Sequence, residues 1–100
     1  MIRHKFKSVR TELDGIKFSS KKEAKHWTDL QLAKSSGQLL FVLRQVPFHL
    51  EAGIRYVVDF VEFWADGSVR FVDVKGFKTP MYRLKKKQVE AAYPITITEI

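Results

Sequence analysis

The sequence contains no cysteine, which excludes disulfides and thiolate metal sites. Its three histidines, His4, His26 and His49, show no ligand spacing. A structural zinc site is therefore not expected, and surface or packing roles are. No apolar run approaches the ~18–20 residues needed to cross a bilayer. No hydrophobic signal-like stretch follows the first residues, so a cytoplasmic protein is expected. Repeats, low-complexity tracts and linkers are also missing. One domain spanning residues 1–100, with 45% hydrophobic content, has enough apolar material for a modest core.

Acidic residues are scarce. Eleven Asp and Glu face 18 Lys and Arg, a net charge of +7. Such an imbalance on a small domain suits a polyanionic partner, most often nucleic acid; the bland alternative is a basic surface that is merely solvated. Clustering favours the first. Residues 1–10 carry Arg3, Lys5, Lys7 and Arg10 without an acid, and read as a basic arm. Lys85, Lys86 and Lys87 form a second block. They span almost a full helical turn, so they cannot all share one contact. Lys78 and Arg83 flank the same region and could also meet a phosphate backbone.

Turn and cap chemistry divides the chain. Asp14-Gly15 between Leu13 and Ile16 predicts a hairpin. Ser20 and Glu23 match a capping box, which opens a helix over residues 21–36 with a stripe of Ala24, Trp27 and Leu30. Gly37 suits its end. Strands follow at 39–51, bent or broken at Pro47, then 54–64 and 68–75, with turns at Ala52-Gly53 and Asp66-Gly67. Thr79-Pro80 starts a second helix with a stripe of Met81, Leu84, Gln88 and Ala91, and residues 95–100 form a last strand. The order is αβββαβ after a hairpin, an α/β domain.

Two acids sit within strands that ought to be apolar. Asp59 lies between Val58 and Phe60, and Asp73 ends the run before Val74-Lys75. Desolvating such carboxylates costs several kcal/mol unless they find partners. Asp73 and Lys75 share a strand face. Two carboxylates and an ammonium converging on one sheet edge can hold a divalent metal and a water beside it. The bland reading of Asp73 and Lys75 is an ion pair at a strand end; Asp59 would then need a dedicated buried partner. Glu62 is three residues beyond Asp59, which puts it on the opposite face toward solvent or helix. Asp14 and Asp66 are turn residues. Gln45 could reach the edge of such a site, and Gln88 is either a buried polar group near it or a boundary residue.

The constellation Glu23…Asp59…Asp73-Val74-Lys75 resembles the PD-(D/E)xK nuclease superfamily, and within it Holliday-junction resolvases. The wording DGIKFSSKKEA, YVVDF, DVKGFKT and RLKKK also resembles a family of small phage-encoded proteins assigned to that fold. Val58 stands where the superfamily name implies proline. The resemblance implies a restriction-endonuclease-like αβββαβ core with a mixed central sheet flanked by helices. It implies a Mg²⁺-dependent endodeoxyribonuclease, with Mn²⁺ a substitute, that hydrolyses phosphodiesters and leaves 5′-phosphate ends. Asp59, Asp73 and the Val74 carbonyl would bind the metal, and Lys75 would orient the attacking water or steady phosphate charge. Glu23 would bind metal too, or only cap its helix. The expected substrate is branched or junction DNA, which calls for two active sites and so suits a homodimer. Phe41, Phe48, Phe63 or Trp64 could supply its interface, although core packing is their default. The rival is an inactive nucleic-acid-binding module of the same fold. An accessory protein that acts only on a protein partner fits the charge and the carboxylates less well.

Overall fold

Asp14 and Gly15 both adopt positive φ, 55° and 76°. That pairing is the mirror-image turn whose twist matches two antiparallel strands. It joins β1 (Thr11–Leu13) to β2 (Ile16–Phe18). The computed structural model describes residues 10–76 and 78–100. Arg3, Lys5, Lys7 and His4 lie outside the described residues, and so does most of the expected basic arm; Arg10 is exposed and belongs to no element.

Helix α1 (Lys21–Ser35) starts where Ser20 accepts a hydrogen bond from the Glu23 peptide N–H at 3.1 Å. It ends where Gly37 takes a φ of 83° and the Gln38 N–H reaches back to the Ala33 carbonyl. Strand β3 (Leu39–His49) runs through Pro47 without a break, because it is an edge strand whose outer side needs no donor. A short 3₁₀ turn (Glu51–Gly53) leads into β4 (Arg55–Trp64), and an Asp66-Gly67 turn leads into β5 (Val69–Asp73). Helix α2 (Pro80–Ala92), capped by Thr79, crosses to β6 (Ile97–Glu99). The main sheet has the order β3-β4-β5-β6, with β5 and β6 parallel and the other neighbours antiparallel. This is the expected αβββαβ domain: a mixed sheet flanked by two helices.

The helices cover opposite faces. On the α1 side, Ala24 and Leu30 pack with Phe18, Leu39, Phe60 and Val72, with Trp27 at the margin. On the α2 side, Val89 packs with Tyr56, Val58, Val61 and Ile97. The α2 contact face differs from the expected stripe. Tyr82, Val89 and Tyr93 face the sheet, whereas Met81 and Leu84 are more than half exposed and Gln88 and Ala91 are also exposed. Tyrosines with wet tips fill the position that a purely aliphatic reading assigns to Met and Leu.

One irregularity builds the site. Along β4, Tyr56 and Val58 face α2, yet Phe60 and Trp64 face α1 while Val61 and Phe63 face α2. The strict alternation of a strand is therefore inverted between Val58 and Val61. The partner strand inverts at the same level. Val42 and Arg44 lie on the α1 side and Val46 and Phe48 on the α2 side. Between them Gln45 holds a φ of 52°. The bend expected at Pro47 is thus two residues earlier, at a left-handed glutamine.

Candidate functional site

The pleat inversion turns Asp59 toward the N-terminal turn of α1. There the carboxylates of Asp59 and Glu23 meet at a single donor: Gln45 Nε2 lies 3.2 Å from Asp59 Oδ1 and 3.3 Å from Glu23 Oε2. Both acids are buried, at 8% and 2% exposure, while Gln45 is exposed. They line a cavity of about 340 Å³ with Lys17, Ser19, Arg44 and Gln45.

Glu23 completes only half of the expected capping box. Its peptide N–H is capped by Ser20, as a capping box requires. Its carboxylate does not return to Ser20. Oε1 instead accepts from the Ser19 hydroxyl at 2.6 Å and the Ser19 N–H at 3.3 Å, leaving Oε2 toward the cavity. Arg44 Nη2 stands 3.7 Å from that Oε2, with the guanidinium stacked 4.6 Å from the Phe18 ring centre. Its Nε is a buried donor with no partner among the described residues.

Asp73 behaves differently from Asp59. The β4–β5 ladder ends at the Phe60–Val72 pair. Just beyond it the two acids supply the bonds that the ladder no longer makes. Asp73 Oδ1 accepts the Asp59 N–H at 3.0 Å, and Asp59 Oδ2 accepts the Val74 N–H at 2.9 Å. The other Asp73 oxygen accepts from the Tyr56 hydroxyl on the α2 side. Asp73 is fully buried. Burial pushes its carboxyl above the usual range, and the Asp59 charge adds to this, against the opposing pull of the Tyr56 and Asp59 hydrogen bonds and of Lys75. Burial also pushes the Tyr56 phenol upward, with the Asp73 hydrogen bond acting in the same direction. Asp59 and Asp73 are thus neighbours whose carboxylates part company. Among the described residues no three His, Cys, Asp or Glu side chains form a metal-binding group.

Lys75 lies past the end of β5. Its Nζ is 4.0 Å from Asp59 Oδ2 and 5.2 Å from the Tyr82 ring centre. It opens onto a second cavity of about 340 Å³ shared with Arg55, Tyr56, Thr79, Tyr82 and Lys85. The lysine block divides as its spacing requires. Lys85 faces Lys75, whereas Lys86 and Lys87 line a basic hollow with Lys78, Arg83, Glu90 and Glu99. There Glu99 binds Lys78 at 3.2 Å and Lys86 at 3.5 Å. The Tyr82 hydroxyl, the larger cause, and these lysines draw the Glu99 carboxyl below its ordinary range. Gln88 sits elsewhere, beside His49, Leu50 and Ile54. It is not near the site, because its face of α2 turns away from the sheet.

Sequence reasoning missed Ser19, Arg44, Lys17 and Tyr56. Only Ser19, one residue before a cap, carried a local signal. It also misplaced Glu62, which lies on the α1 side with Asp59 because the alternation inverts between them. Glu62 is fully buried and accepts from Trp64 Nε1 at 3.1 Å, with His26 Nε2 2.6 Å away and Arg70 Nη1 at 3.7 Å.

The donor chemistry of the first cavity suits a hard divalent cation. Two buried carboxylate oxygens, held from behind by Ser19 and by the Val74 N–H, converge on one point and leave open space in front. No helix among the described residues is long and apolar enough to cross a membrane. No curated protein and no solved structure gives a significant match to the chain. A family model does match, over residues 3–98, and by it the chain belongs to the family described as "Protein of unknown function (DUF1064)".

Proposed function

We propose that the protein is a metal-dependent DNA endonuclease of the PD-(D/E)xK kind, selective for branched DNA. The observation that carries this reading is the meeting of buried Glu23 and Asp59 at one point beside Lys75. A purely structural carboxylate pair would not be gathered at the mouth of a cavity rimmed by Lys17 and Arg44. Glu23 and Asp59 would hold Mg²⁺, with Mn²⁺ a substitute. When bound, the ion supplies positive charge to the phosphoryl oxygens and acidifies water.

The protein's own groups supply the remainder. Asp73 holds the Asp59 peptide, and so fixes where the Asp59 carboxylate points. Lys75, held over Tyr82 and 4.0 Å from Asp59 Oδ2, brings an ammonium beside that carboxylate, where it would steady phosphate charge or orient water. Arg44, in the cavity wall with Nη2 3.7 Å from Glu23 Oε2, adds a guanidinium charge suited to a phosphodiester oxygen. Lys17 lines the first cavity, and Lys75, Lys85 and Arg55 line the second, so each carries positive charge suited to phosphates. Lys78 and Lys86, bound to Glu99, contribute less.

A second reading keeps the fold and DNA binding without cleavage. Asp73 favours it, because both of its oxygens are already engaged in the interior. Branched, duplex and single-stranded DNA incubated with and without Mg²⁺ or Mn²⁺ separates the two. Metal-dependent cleavage of branched DNA is expected; tight binding with no cleavage in either metal would transfer the assignment to the binding module.

A further inference from the structure

Gln45 has an unexpected backbone. A φ of 52° in the middle of a strand is unfavourable for a residue with a long side chain, and glutamine has none of the local hydrogen bonding that lets Asn or Asp adopt it. Strain of this kind persists where the surroundings impose it and clusters at functional sites. Here it has a definite product. Arg44 and Gln45 both reach the α1 side, so the glutamine amide enters a space that regular alternation would deny it. The amide bonds two carboxylates from different elements, Glu23 of α1 and Asp59 of β4. It is the exposed member of the trio.

We infer that Gln45 is a placeholder: its amide occupies the point on which Glu23 and Asp59 converge until a divalent cation takes it. The inference rests on the cation site proposed above, and adds that loading the site requires the Gln45 amide to withdraw. An amide carries only partial positive charge, so it satisfies the pair without competing strongly against an ion. Removing it should therefore make cation binding easier while leaving the strand intact, since glycine accepts the left-handed backbone.

The test compares wild type, Gln45→Gly and Gln45→Glu without DNA, by thermal melts titrated with Mg²⁺ or Mn²⁺ alone. Gln45→Gly should melt near wild type, because relief of strain offsets the lost hydrogen bonds. It should bind the cation roughly 3- to 10-fold more tightly, the loss of a modest competing interaction. Gln45→Glu should melt lower without cation, as a third carboxylate enters the cluster, and show the largest upward shift when cation is added. Unchanged or weaker cation binding by Gln45→Gly would overturn the inference, since a merely structural glutamine would not alter affinity in that direction. If wild type binds no cation, the cation reading falls and this inference with it; if wild type binds cation but Gln45→Gly binds it no more tightly, this inference alone falls. If neither variant differs from wild type in melting or binding, the inference fails whatever DNA cleavage shows.

Discussion

Asp59 and Asp73 each bind the other's stretch of backbone. Asp73 Oδ1 accepts the Asp59 N–H, and Asp59 Oδ2 accepts the N–H of Val74, the residue after Asp73. Two strands that stop pairing leave N–H groups exposed to the interior, and here acid side chains satisfy them. The same bonds fix the Asp59 carboxylate with its second oxygen toward Glu23. A structural need and a chemical opportunity are met by one arrangement.

Asp59→Asn keeps an oxygen for the Val74 N–H but removes the charge that would hold a cation. Cleavage should fall by at least about 100-fold, comparable to the loss of one preorganised electrostatic group. DNA affinity in the absence of metal should be unchanged or slightly higher, because a negative charge near the phosphates is gone. Single-turnover cleavage and a binding isotherm on the same junction check this; wild-type cleavage by the variant would remove Asp59 from the site.

Asp73 gives a prediction about pH. Its carboxyl is raised in the folded state by burial. A raised acid leaves the native state best off, relative to the unfolded chain, below the unfolded value of 3.8, and that advantage is lost as pH rises through the folded value. Asp73→Asn cannot ionise and can still accept the Asp59 N–H. The variant should therefore gain stability relative to wild type from about pH 4 upward and level off above the folded value. Difference curves from denaturant melts across that range would show it; a constant difference would mean that Asp73 is not raised.

Much of the fold was legible because the signals were local. Asp14-Gly15, Ser20, Gly37, Thr79-Pro80 and Asp66-Gly67 each act through their own backbone, and they placed nearly every boundary. The site was half legible. Asp59 and Lys75 were found by type and spacing and Glu23 through the family resemblance, and the structure brings the three together. The direction of Asp73 was not legible, because it depends on Tyr56, 17 positions away, and on a pleat inversion that counting by twos cannot anticipate. The same inversion moved Glu62 to the α1 face. Arg44 looks like any basic residue on an edge strand until Phe18 and Glu23 are folded beside it.

Glu62 and His26 provide a test of stability separate from the carboxylate pocket. Glu62 is wholly buried, and His26 is its shortest contact. His26→Ala removes that partner and the ring packed edge-on against Phe60 at 5.1 Å. Trp64 and Arg70 remain, so the cost should be about 2–3 kcal/mol and not the full value of an orphaned buried charge. Chemical denaturation measures it. Cleavage per folded molecule should stay within about 2-fold of wild type, since among the described residues no hydrogen bond or ion pair links this cluster to Gln45 or Asp59; a far larger loss would tie His26 to the chemistry.

The two halves of the lysine block should separate on DNA. Lys85 opens toward Lys75, whereas Lys86 is held by Glu99. Each phosphate contact that is lost should lower the slope of log affinity against log salt by about 0.9 for duplex DNA. Lys85→Ala should therefore weaken binding and reduce that slope by about one. Lys86→Ala should change both less, because Glu99 already holds the ammonium it removes. Glu99→Gln frees Lys78 and Lys86 and removes a negative charge, so it should strengthen binding and steepen the slope. Titrations of one junction at several salt concentrations decide the matter: equal effects of Lys85→Ala and Lys86→Ala would mean that the DNA runs over the Glu99 hollow as well as past Lys75.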